Sequence, residues 1–155
     1  MKHVFPMLIA GALVLGACKK DAPPPAPPEP DVKSQAFLAQ LAEQSNKRLP
    51  MPVDEETEWL STTGLEGTLV YTYRLKSLSR ETVNAKNILA VMRPNITKSS
   101  CANPEARDTL LGKGVVLRYA YVDKAKVAIL HFDVTEKDCK ALEAAAADAA
   151  PPMLK

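Results

Sequence analysis

Beyond residue 17 the chain carries one histidine, His131, and three cysteines, Cys18, Cys101 and Cys139. A metal site needs several such ligands converging on one point. His131 stands by itself between Leu130 and Phe132 in an alternating apolar run, and the thiols have other uses, so neither a metal nor another cofactor is expected. Asp54, Glu55, Glu56 and Glu58 follow a proline break as an acidic run, the composition of a solvated loop more than of a paired acid and base. Ser77, Ser79, Ser99 and Ser100 lack the Gly-x-Ser-x-Gly frame of a nucleophile, and there is no glycine-rich phosphate loop. The chain is therefore read as non-catalytic. What remains is recognition. Tyr71, Tyr73, Tyr119 and Tyr121 occupy alternate positions of two strand-like runs, so each pair shares one face of a sheet. Either they pack beneath helices, or they line an aromatic groove that takes a partner's helix or strand. Tyrosine suits the second role because it offers large contact area at low entropy cost.

Cys18 belongs to a different chemistry. A short basic start, Met1-Lys2-His3, leads into an apolar run from Val4 to Leu15, then the small residues Gly16 and Ala17, which is the pattern of a secretory signal peptide. The run is too short for a hydrocarbon core that takes about 20 helical residues to cross. Leu15-Gly16-Ala17-Cys18 resembles the bacterial lipobox, in which cleavage before the cysteine leaves it as a lipid-bearing first residue. Residues 1–17 are thus read as a lipoprotein signal peptide, and Cys18 as the lipidated, palmitate-bearing tie to the membrane. Three acyl chains, at roughly 0.8 kcal/mol per buried methylene, make a stable anchor. Lys19, where an inner-membrane lipoprotein would carry Asp, favours the outer membrane, with the domain in the periplasm. Removing Cys18 leaves Cys101 and Cys139, and an exported protein with two cysteines is expected to join them in a disulfide.

The elements that must position these residues follow from periodicity. Residues 18–33 contain six prolines between Pro23 and Pro30 and almost no large apolar group, so they cannot offset their own ordering entropy. They read as a spacer that reaches roughly 40 Å in polyproline conformation. From Ser34 to Leu49, Leu38, Leu41, Ala42, Ser45 and Leu49 fall on one helical stripe, with Ser34 as cap and Pro50 as stop. A strand from Thr57, a turn around Gly64 and Gly67, and the alternating run Thr68 to Lys76 predict a hairpin. Ala85, Ile88, Leu89, Met92 and Ile96 repeat a helical stripe from Arg80 to Arg93, and Pro94 bends or ends it. Asn103-Pro104-Glu105 has the cap, proline and first-turn acid of a short helix that Gly112 closes. Val115 to Val122 and Val127 to Val134, around a turn at Asp123, predict a second hairpin. The order α-β-β-α-α-β-β gives an α+β two-layer sandwich, an antiparallel sheet of two hairpins packed against helices. The domain is expected over residues 34–140, with an alanine-rich tail at 141–155.

Of the 155 residues, 46% are hydrophobic and 25% charged, which suits about one globular domain. A formal charge of +2 provides no basic excess for nucleic acid, and the chain is read as a monomer.

The stretch Cys101-Ala-Asn-Pro-Glu-Ala-Arg107, then Leu110-Leu111-Gly112, Tyr119-Ala-Tyr121 and Asp138-Cys139, resembles the C-terminal half of the small pilotin lipoproteins of type II secretion. The resemblance is to their α/β, disulfide-containing kind and covers about residues 80–139 together with the leader. It implies an adaptor that binds a short C-terminal segment of an outer-membrane secretin, in a groove between sheet and helix, and escorts it by lipoprotein sorting. The alternative is a periplasmic small-ligand-binding or enzyme-inhibitor lipoprotein.

Overall fold

The computed structural model describes residues 29–148. The signal segment, Cys18, most of the proline tract and residues 149–155 lie outside the described residues.

Helix α1 spans Gln35–Asn46 and is capped as expected: the Ser34 hydroxyl oxygen accepts from the Phe37 amide at 3.3 Å. It ends before Leu49 because Asn46 turns its side chain onto the next strand. Asn46 Nδ2 donates to the Thr62 carbonyl at 2.9 Å and its Oδ1 accepts from the Thr62 amide at 2.7 Å. Strand β1 (Met51–Pro52) is a two-residue edge strand that the sequence pattern does not reveal. Strands β2 (Thr57–Leu65) and β3 (Thr68–Leu75) form the first hairpin, and the turn is carried by Gly67 at φ 68°, where a side chain would be strained. Gly64 lies inside β2. A Cβ there would overlap the Leu38 carbonyl carbon and the Ala39 nitrogen of α1, so this glycine is where helix and sheet come closest.

Helix α2 spans Ala85–Ala102 and starts with the first residue of its apolar stripe, not at Arg80. The preceding residues are claimed by Asp123, whose buried carboxylate accepts from the Arg80 amide at 3.0 Å and from the Ala125 and Val127 amides at 2.8 Å each. Those hydrogen bonds hold the Asp123 carboxyl below the usual carboxylate range. The helix runs through Pro94 instead of stopping there, and Asn95 Nδ2 donates to the Val91 carbonyl at 3.0 Å on the turn that the proline disturbs. The short helix after Asn103 is a π-helical turn, Glu105–Leu110, followed by a 3₁₀ turn, Leu111–Lys113. Gly114, at φ 82°, closes it in place of Gly112.

Strands β4 (Val116–Val122) and β5 (Ala128–Val134) form the second hairpin, and the sheet order is β1-β2-β3-β4-β5. Each hairpin is antiparallel, yet β3 and β4 pair in parallel. The expectation of a wholly antiparallel sheet is corrected at that one junction. The connection carries α2 over one face and returns the chain to the starting end, which is the crossover that a parallel pair requires. The α+β two-layer arrangement stands, now on a mixed sheet.

Helix α3 (Glu136–Asp148) continues past Lys140 into the alanine-rich segment, where alanine is the strongest helix former and Arg107 reaches Glu143 at 2.8 Å. Cys101 and Cys139 are bonded, with Cα atoms 5.3 Å apart. The bridge joins the last turn of α2 to α3. Closing 38 residues restricts the unfolded chain by about 4 kcal/mol in the chain-entropy account. Leu38, Leu69, Leu111, Val115, Leu117, Val134 and Cys139, each under 2% exposed, make the centre of the core.

Replacing Gly64 by alanine, which changes no polar group, is expected to destabilise the domain by at least about 2 kcal/mol through overpacking against α1. Urea unfolding of the variant beside the native protein measures it, and an unchanged midpoint would mean that α1 does not sit on β2 in this way.

Candidate functional site

Strands β3 and β4 carry the same short pattern, Leu69-Val-Tyr71-Thr-Tyr73 and Leu117-Arg-Tyr119-Ala-Tyr121. The parallel register sets Leu69 beside Leu117, Tyr71 beside Tyr119 and Tyr73 beside Tyr121. The four tyrosines therefore share one face, and stacking extends beyond them in both directions. Ring centroids lie 5.3 Å apart for Tyr71 and Tyr119, 5.5 Å for Tyr73 and Tyr121, and 5.5 Å for Tyr119 and Phe132. Trp59 on β2 stacks on Tyr73 at 6.1 Å and meets Tyr71 edge-on at 5.7 Å. These are the offset and edge geometries that aromatic quadrupoles favour.

The face is only partly covered. At the Leu69 and Leu117 end, α1 and the turns around Leu110 and Leu111 close over it. Farther along, α2 faces the tyrosines with Met92, Ile96 and Ser100, and touches the ladder through Ser100. Ser100 gives its hydroxyl proton to the Ile96 carbonyl at 2.8 Å, so Tyr119 is the donor in the 2.7 Å bond between the two hydroxyls. Between helix and sheet lies a cavity of about 520 Å³. Its floor is Leu117 with the four tyrosines, its wall is Met92, Ile96 and Ser100, and Val53, Asp54 and Thr57 close one end. Val91, Asn95, Ser99 and Asn103, all exposed, line it along the solvent side of α2. The tyrosines thus line an open groove while also packing against the core.

The polar side of the groove resides in its hydroxyls. Tyr121 is 3% exposed, and among the described residues the hydroxyls of Tyr71, Tyr73 and Tyr121 have no hydrogen-bond partner. Burial pushes all four phenols above their ordinary range, and the neighbouring tyrosines add to the effect at Tyr71, Tyr73 and Tyr121. The charge of Asp54 also bears on Tyr121, and that of Glu105 on Tyr71.

No protein-family model matches the sequence, and neither does any curated protein. Solved structures do. A secreted-protein candidate of Pseudomonas aeruginosa superposes with a TM-score of 0.59 at 21% identity, over 68% of this chain and 91% of that one. The pilotin EpsS of the Vibrio vulnificus type 2 secretion system gives 0.55 at 12% identity, over 68% and 90%. The type II secretion pilotin AspS of Vibrio cholerae gives 0.52 at 17% identity, over 68% and 91%. The fold is that of the α/β pilotins. The sequence resemblance drawn from Cys101 to Cys139 and the three-dimensional likeness therefore point to the same architecture.

On this pilotin fold the remaining expected residues separate. Cys101 and Cys139 meet behind the groove wall, while Cys18 lies outside the described residues. His131 is exposed on β5, on the sheet face opposite the tyrosines, beside Ala120. Among the described residues no group of three or more His, Cys, Asp or Glu is placed to hold a metal ion. Glu58 pairs with Arg74, and Arg118 with Asp133, on that same opposite face. The sequence pattern does not disclose the solvent-side stripe Asn95, Ser99 and Asn103. All three follow Pro94, where the sequence pattern predicts that the helix bends or ends.

All four tyrosines of the chain lie in this one ladder, which makes their titration a clean readout. Their folded pKa values are raised, so the stability that they contribute is fully present below the ordinary phenol value of about 10 and is lost as pH rises through the higher folded values. Ultraviolet titration is expected to show phenolate appearing only together with loss of the far-ultraviolet dichroism. Reversible ionisation of all four near pH 10, in a folded protein, would contradict the buried ladder.

Proposed function

We propose that the protein is a non-catalytic outer-membrane lipoprotein whose periplasmic domain binds a segment of another envelope protein in the tyrosine groove, acting as a pilotin-like escort for a secretin. The observation that carries this reading is the groove itself: an aromatic floor, an apolar wall and a long open side, on the fold of two solved type II secretion pilotins. A docked helix or strand would cover the apolar rim residues Val53 and Val91, 54% and 67% exposed, which have no other evident purpose on the surface. Lipid on Cys18 and the proline tract supply the remaining requirements of an escort: an address and a reach of some tens of ångströms. The partner gains the address by being held.

A second reading, a small-ligand or inhibitor lipoprotein, is supported by the volume. A cavity of about 520 Å³ falls in the range of small-molecule sites. The open side along α2 favours a polypeptide over an enclosed ligand.

Crosslinking followed by pull-down from membranes tests the escort. Native lipoprotein is expected to recover a secretin, and Cys18→Ala to recover it away from the outer membrane. Val91→Asp alters an exposed rim residue without touching the core, and is expected to lower recovery at least about tenfold by burying an unpaired charge on docking. Recovery of peptidoglycan enzymes, or equal recovery by Val91→Asp, would overturn the reading.

A further inference from the structure

The groove is apolar along its length but not electrically neutral. Of the residues lining it, Asp54 is the one that carries a charge, and no lysine or arginine is among them. Asp54 Oδ1 is held by the Glu56 and Thr57 amides at 2.8 and 2.6 Å, which keeps the carboxylate fixed at the groove end and its pKa below the ordinary range. Lys76 sits beside it: its ammonium donates to the Asp54 backbone carbonyl at 3.3 Å, and its charge also acts on the carboxylate. Glu55 and Glu56 are exposed on the same loop, and Glu105 is exposed next to Ala106, which also lines the groove. Tyr121, 97% withdrawn from solvent as part of the floor, lies at the Asp54 end, and Tyr71 lies towards Glu105.

We infer that the groove selects a cationic amphipathic segment, whose apolar stripe lies on the tyrosines while lysines or arginines at its ends meet Asp54 at one end of the groove and Glu105 near the other. The inference rests on the reading that the groove docks a protein segment, and adds the chemistry of that segment. An acid near each end and a floor without cations repel an acidic segment of the same apolar pattern, so the selection is by exclusion as well as attraction. The tyrosine hydroxyls contribute by taking up the segment's polar groups wherever its stripe is interrupted.

The test uses the full mature lipoprotein in detergent and two synthetic amphipathic peptides of about 15 residues with the same leucine stripe, one ending in lysines and one in glutamates. Fluorescence anisotropy is expected to show the lysine-ended peptide binding about fivefold tighter at low salt, with the difference shrinking near 1 M salt. Asp54→Asn with Glu105→Gln keeps the side-chain shapes and the Asp54 acceptor oxygen, and is expected to bind both peptides alike. Glu105→Lys, at an exposed position, is expected to shift preference toward the glutamate-ended peptide. Equal binding of both peptides by the native protein, or a preference for glutamate, overturns this inference and leaves docking in place. Failure of both peptides to bind overturns the docking reading along with it.

Discussion

The structure depends on one register: the parallel pairing that sets Leu69, Tyr71 and Tyr73 beside Leu117, Tyr119 and Tyr121. Side chains alternate across a strand, so a slip of β4 by one residue against β3 would turn Tyr119 and Tyr121 to the opposite face and bring Arg118 under the helices. The repeated Leu-x-Tyr-x-Tyr pattern holds against that slip. It pairs leucine with leucine where α1 closes the core, and tyrosine with tyrosine where α2 walls the groove. Core and groove are consequently two lengths of the same pair of strands.

The groove lies between α2 and the stretch of sheet that α1 does not cover, with Met92, Ile96 and Ser100 as its wall. The position of α2 is fixed towards its carboxyl-terminal end, by the bond between the Ser100 and Tyr119 hydroxyls and by the Cys101–Cys139 bridge to α3. A wall secured at its carboxyl-terminal turn, with an exposed proline at mid-length, keeps an apolar cleft open without filling it.

Much of this architecture was legible in the sequence, and the parts that were not share a cause. The Ser34 cap, the two hairpins and the pairing of Cys101 with Cys139 are local or combinatorially simple, and residue types announce them. The parallel junction depends on where a long connection lands, which periodicity within a strand does not encode. The continuation of α2 through Pro94, which leaves the Ala90 carbonyl without its usual amide donor, runs against the proline's local effect and is not encoded in the stripe. The early end of α1 depends on Asn46 reaching Thr62, sixteen residues onward. For the site, the tyrosines were legible by alternation, while Asn95, Ser99 and Asn103 became visible only once α2 was one helix facing them. The groove thus combines a floor written in strand periodicity with a wall set by tertiary contacts.

The most direct measurement is site-specific photocrosslinking in cells from two positions of the full lipoprotein: Val91, on the groove rim, and His131, exposed on the opposite sheet face. Docking in the groove predicts an adduct with a secretin from position 91 and none from position 131. No adduct at 91, or the same adducts from both faces, would contradict it.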